Sequence, residues 1–194
     1  NMLLVDVYNQ AKKLHIENDQ KRIVFLVEAK SKDNQMLLET MKGMYASGMK
    51  DFVTAVDESS VILVKALEET DGYREVYESA KSIADTVSAE AMVNIRVSYG
   101  TIIHELKDVS KSYKEAGMAL DVGRIFYPGH NILAYNELGI GRLIHQLPLS
   151  LCDMFLKEVF GERDVSEFEE ETLSTVYKFF ENNLNISETA RQLY

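Results

Sequence analysis

Apolar residues recur at Leu4, Val7, Ala11 and Leu14, in steps of three and four, and that spacing predicts a helix over residues 2–15. The stripe is short of the roughly three or four heptads a coiled coil needs, so residues 1–15 read as a linker helix ending an upstream region. Lys21 to Ala29 is a β-branched and aromatic run, the pattern of a buried strand. Helical spacing returns from Asn34 to Ala46, with Leu37, Met41, Met44 and Tyr45 on one face. Asp51–Val56 and Val61–Leu67 are two further apolar runs. Turn-forming residues between them, Asp57, Glu58, Ser59 and Ser60, predict a hairpin. After Gly72, a helix is marked by Tyr73, Val76, Tyr77, Ala80, Ile83, Ala84 and Val87. Asn94–Tyr99 alternates as a strand, a long helix is predicted over Thr101–Phe126, and Asn131–Tyr135 reads as a short last strand.

The order strand, helix, strand, strand, helix, strand predicts an α+β domain of ferredoxin-like type over 16–136, an antiparallel sheet with helices on one face. Beyond Glu137 no strand pattern returns, and residues 137–194 read as an all-α segment. Two short amphipathic helices, Gly139–Gln146 and Leu149–Phe160, are separated by Pro148. Glu162 to Glu171 holds six acids and one arginine, a solvated stretch leading into a helix N-terminus. Leu173, Val176, Tyr177, Phe180 and Leu184 then mark one helix face, Asn182-Asn183 ends that helix, and Ile186–Tyr194 begins another.

Charge narrows the function classes. Against 21 Lys and Arg stand 31 Asp and Glu, a net charge of −10, which excludes a general polyanion binder. The single cysteine, Cys152, excludes an intramolecular disulfide and a multi-cysteine zinc site; a lone thiol suits a reducing compartment, so the expected location is the cytoplasm. No apolar run nears the roughly 20 residues that span a bilayer, and no secretory signal is visible, so no membrane partner is expected. His15, His104, His130 and His145 share no metal-ligand spacing, so neither a metal nor a cofactor is expected. Cys152 beside Leu151 reads as packing, and Gly139-Ile140-Gly141 as a flexible lead into a helix rather than a phosphate loop. Met36, Met41, Met44 and Met49 read as core filler, and Tyr73 and Tyr77 as a core stripe with hydroxyls at its edge.

Two stretches resemble one family. The first is Ser112-Tyr113-Lys114-Glu115-Ala116-Gly117-Met118-Ala119-Leu120, with Tyr135-Asn136-Glu137-Leu138-Gly139 and Arg142-Leu143 farther on. The second runs from Phe179 to Tyr194 and includes Asn182-Asn183-Leu184-Asn185-Ile186-Ser187-Glu188-Thr189-Ala190-Arg191-Gln192. Together they resemble the sugar-diacid and purine-catabolism regulators of bacteria, the CdaR/PucR type, over roughly residues 16–194. The resemblance implies a GGDEF-like domain over 16–136 and a helix-turn-helix entered from 137–194. Ile186–Tyr194 resembles the first helix of that motif, with the operator-reading helix expected beyond Tyr194. Ser187, Thr189, Arg191 and Gln192 are then candidates for phosphate contact in the complete regulator. Residues 137–194 hold 11 acids against 5 Lys or Arg, so specific DNA binding is expected of the whole protein and not of this chain. A homodimer is the physical expectation, since a helix-turn-helix reads palindromic half-sites in pairs, and an effector would act through an upstream domain.

The predicted hairpin bears on catalysis. In active diguanylate cyclases a Gly-Gly-Asp-Glu-Phe turn lets backbone approach the nucleotide and supplies carboxylates for divalent metal. Aligning the turns places Asp57, Glu58, Ser59, Ser60 and Val61 there: both glycines are absent and the acid pair is replaced by serines. Glu28, at the end of the first strand, is the acid nearest a second metal-ligand position. This pattern predicts a non-catalytic relay or dimerisation domain. The alternatives are a module that binds a nucleotide or metabolite without turnover, and a divergent diguanylate cyclase.

Overall fold

Arg22–Ala29 forms β1, the central strand of a sheet, because its side chains are apolar on both faces. Ile23, Val24, Phe25 and Val27 are fully buried. The computed structural model describes residues 4–29, 35–46, 48, 50–91, 94–161 and 167–193. The elements in order are α1 (Leu4–Lys13), β1, α2 (Gln35–Tyr45), β2 (Phe52–Ala55), β3 (Ser60–Ala66), α3 (Tyr73–Ala91), β4 (Ile95–Tyr99), α4 (Val109–Phe126), β5 (Ile132–Ala134) and α5 (Ile140–His145). They are followed by α6 (Leu149–Phe160), α7 (Glu170–Glu181) and α8 (Ile186–Leu193). The sheet order is β2-β3-β1-β4-β5. The first four strands pair antiparallel, in the ferredoxin-like order, and β5 joins β4 in parallel.

Alternation along β1 sorts the core into two layers. Ile23, Phe25 and Val27 meet Leu37 and Met41 of α2 and Val76, Ala80, Ile83 and Val87 of α3. Phe25 touches Tyr99 edge to face at 5.7 Å. Leu26 points the other way, to Ala116, Ala119 and Leu120 of α4. The two helices of the ferredoxin-like unit, α2 and α3, cover one face as expected, and α4, which follows that unit, packs on part of the other. The small side chains Ala116 and Ala119 give α4 an apolar face that fits a sheet.

One correction concerns where α4 begins. Helical spacing predicted Thr101, but α4 starts at Val109, preceded by a single 3₁₀ turn, Leu106–Asp108. Ile103 is held in extended form, exchanging both backbone hydrogen bonds with Arg22 at 2.9 Å each. Those bonds to β1 outcompete helix propagation in a segment whose apolar pattern suits either state.

Helix ends follow local chemistry. α1 closes with Ile16 N–H donating to the Ala11 carbonyl (2.9 Å) and His15 N–H to that of Lys12 (3.3 Å). His15 takes φ +55°, so this histidine is a helix-ending residue. At the start of α3, Glu75 Oε2 accepts the Gly72 N–H at 2.8 Å. That hydrogen bond, with help from Arg74, holds the Glu75 carboxyl down to about 2. A depressed folded-state value means that this contribution is present above the ordinary value of 4.5 and lost as pH falls toward 2. Glu75→Gln is expected to make the acid limb of stability shallower between those pH values. Urea midpoints measured across that range check it; identical limbs in the two proteins would refute it.

The chain divides into two compact units, 1–145 and 146–194. The first unit ends at His145, with α5 packed against α4. In the second unit α7 packs on α8. The predicted α7 stripe is largely solvent-facing there, with Val176, Tyr177, Phe180 and Leu184 all exposed. Among the described residues no helix is long and apolar enough to cross a membrane. Asn34, Met49, residues 162–166 of the acidic stretch and Tyr194 figure in the sequence expectations and lie outside the described residues.

Candidate functional site

The β2–β3 hairpin turns through Val56–Ser59, closed by Val56 N–H donating to the Ser60 carbonyl at 2.9 Å. Asp57 Oδ1 accepts both the Ser59 N–H (2.8 Å) and the Ser59 hydroxyl (3.0 Å). This is a turn stabilised by its own aspartate. The Ser59 N–H, chiefly, holds the Asp57 carboxyl below its ordinary value. Glu58 is exposed, Ser60 is buried at the start of β3, and Val61 is fully buried in the core. The five aligned positions thus comprise two exposed acids, two hydroxyls and one core anchor.

β1 ends beside this turn. Ala29 N–H donates to the Ser59 carbonyl at 2.8 Å, and Glu28 stands opposite Ser60 of β3 and Arg96 of β4. The Glu28 carboxylate is paired with the Arg124 guanidinium of α4, which also donates to Asp121 Oδ1 at 2.9 Å. The acid that sequence placed nearest a metal position is thus neutralised by a tethered cation. Serine hydroxyls supply no charge to offset a divalent ion. Among the described residues no three His, Cys, Asp or Glu side chains are grouped as a metal site requires.

The remaining candidates are scattered. His104, His130 and His145 are exposed, and His130 meets Tyr127 edge to face at 5.7 Å. Cys152 is half-buried on α6. Met41 is fully buried and Met44 packs on the core, but Met36 is exposed, correcting its reading as core filler. Tyr73 and Tyr77 are likewise exposed, outside the α3 stripe of Val76, Ala80, Ile83 and Val87. The Tyr73 hydroxyl accepts the Ile102 N–H at 3.4 Å. Gly139 leads into α5 with φ +53°.

The stretch from Ser112 to Leu120 proves to be an internal clamp, which sequence reasoning missed. The Ser112 hydroxyl accepts the Val24 N–H (3.2 Å) and donates to the Thr101 carbonyl (2.8 Å). Glu115 Oε2 accepts the Thr101 N–H (2.9 Å) and the Thr101 hydroxyl. These two side chains satisfy backbone groups where β4 leaves the sheet. The available signal was a serine and a glutamate, three apart, on the same helix face as Ala116 and Ala119.

In α8 the cap is Asn185, whose Oδ1 accepts the Glu188 N–H at 3.1 Å. Asn182 Nδ2 reaches Thr189 Oγ1 (3.4 Å) and Gln192 Oε1 (3.3 Å), tying α7 to α8. Thr189 is buried in that junction, with its hydroxyl donating to the Asn185 carbonyl at 2.8 Å. Ser187 is exposed. Arg191 and Gln192 are exposed and share the Glu188 carboxylate.

A sheet whose first four strands pair antiparallel in ferredoxin order, with helices on its faces, places the chain in the ferredoxin-like class of α+β domains. Residues 4–122 match the model of the GGDEF-like domain, and the chain belongs to that family. The matched span begins at Leu4 and so takes in α1. The chain is also similar to the purine catabolism regulatory protein of Bacillus subtilis (strain 168), 27% identical over 139 residues. That alignment covers 69% of this chain and 26% of the relative, so the chain matches about a quarter of that protein's length.

Proposed function

We propose that this chain is part of a bacterial transcription regulator in which the GGDEF-like domain is non-catalytic and serves signal relay or dimerisation. The observation that carries this reading is the pairing of Glu28 with Arg124 beside a turn that carries the hydroxyls of Ser59 and Ser60. A cyclase needs carboxylates free to hold divalent metal against a triphosphate, and this hairpin end offers none on its strands. Similarity to a purine catabolism regulatory protein supports the regulator class.

In the whole protein, α7 and α8 would lead into a helix-turn-helix, α8 being its first helix and the operator-reading helix following it. Arg191, Gln192 and Ser187 would lie near phosphate, whereas Thr189 would hold the two helices together. The protein would act as a homodimer in the cytoplasm, with an effector bound by a region upstream.

The test is incubation with GTP and magnesium or manganese. No guanine dinucleotide is expected, from this chain or from a Ser59→Asp, Ser60→Glu variant, because Glu28 stays engaged by Arg124 and the turn still lacks glycines. Product above background from this chain would overturn the non-catalytic reading. Salt-dependent binding to the parent gene's upstream region is expected of the whole protein; its absence would count against the regulator.

A further inference from the structure

The last turn of α4 carries three attachments at once. Arg124 reaches across to Glu28, at the end of β1 that hydrogen-bonds the hairpin turn. Gly123 lets the helix lie directly on β5: a Cβ there would sit 2.6 Å from Leu133 Cδ2. Val122 and Phe126 face α5, where a Cβ on Gly141 would sit 2.9 Å from Val122 Cγ1 and 3.3 Å from Phe126 Cδ2. Close packing of this one turn against both β5 and α5 gives a route by which its displacement reaches them. The pair is only partly solvated, with the Glu28 side chain 17% exposed and that of Arg124 43%. It spans 96 residues of sequence and adds a charged hydrogen bond to the apolar packing of β1 on α4.

We propose that the Glu28–Arg124 pair is a strut coupling the hairpin end of the sheet to α5. Whatever displaces the hairpin end, or draws the Glu28 carboxylate away, frees the last turn of α4 and loosens α5, the helix that ends the first unit. The strut deepens the relay reading by naming the elements that carry the signal. The coupling itself belongs to the first unit and is measured without DNA.

Hydrogen exchange of the whole chain, read by mass spectrometry, tests it with Glu28→Gln and Arg124→Gln. Amides of β5 and α5 are expected to exchange about two- to five-fold faster in both variants, with α2 and α3 unchanged. Asp121→Asn, which removes the other partner of Arg124, is expected to leave α5 at its original rate. Unchanged α5 exchange in Glu28→Gln would overturn the strut. So would acceleration confined to β1 and the hairpin, or an equal acceleration of every element. An Asp121→Asn effect as large as that of Glu28→Gln would also overturn it. Failure of the whole protein to bind DNA would count against the regulator reading and leave these rates untouched.

Discussion

Gly100→Ala is expected to destabilise the first unit by about 3 kcal/mol. Gly100 directly follows β4, pressed against the first turns of α4. An added Cβ would lie inside contact distance of the Ser112 carbonyl oxygen and 2.7 Å from its carbonyl carbon. The obstacle is helix backbone, which cannot swing aside as a flexible side chain can. Relief would require α4 to lift from the sheet, separating Ala116 and Ala119 from Leu26. Urea unfolding followed by circular dichroism measures the loss. Gly117→Ala, in the same helix with nothing within 4 Å of its Cβ, serves as the contrast. It is expected to gain up to about 1 kcal/mol through helix propensity. If the two variants were equally stable, close approach would not be what reserves position 100 for glycine.

Ser112→Ala is expected to cost about 2 kcal/mol. The hydroxyl is buried and serves two backbone groups, the Val24 N–H and the Thr101 carbonyl. Alanine fills nearly the same space but satisfies neither. The Val24 N–H is left without its partner in the buried core and the part-buried Thr101 carbonyl loses its donor, so the lost hydrogen bonds outweigh any packing change. The Val24 amide should also lose protection in hydrogen exchange while that of Phe25, within the regular ladder, keeps its own. Wild-type stability in Ser112→Ala would mean that another donor and acceptor replace the hydroxyl. This residue sits in the stretch that resembles the regulator family, so part of that resemblance reflects how β4 hands over to α4.

Much of the architecture was legible because its signals are local. The run Ile23–Val27 is apolar on every residue and rich in β-branched side chains, the pattern of a strand covered on both faces. The turn residues Asp57–Ser60 between two apolar runs announced the hairpin, and Asp57 makes the turn bonds expected of it. Leu37 and Met41, at helical spacing, are both buried. The start of α4 was not legible, because Ile103 is committed by its pairing with Arg22, 81 positions earlier, and spacing within 101–126 carries no trace of that partner.

The candidate site divides the same way. Composition at the turn, with two acids, two hydroxyls and no glycine, was plain in residues 57–61 alone. Glu28 looked available because nothing in the sequence links it to Arg124, 96 positions away. Only the fold brings Arg124 onto it, and a contact between residues so far apart depends on the packing of α4 against β1. Ser112 and Glu115 read as ordinary helix positions until the chain crossing above them is known. Thr189, one of the residues singled out for phosphate contact, is turned inward by Asn182 across the α7–α8 junction. The sequence by itself determined the order of strands and helices and which side chains the hairpin turn carries, because backbone preference and side-chain identity are local. The tertiary structure decided which charge is neutralised, which polar groups are satisfied and which helix turn meets α5. Those outcomes depend on distances between residues that only folding brings together.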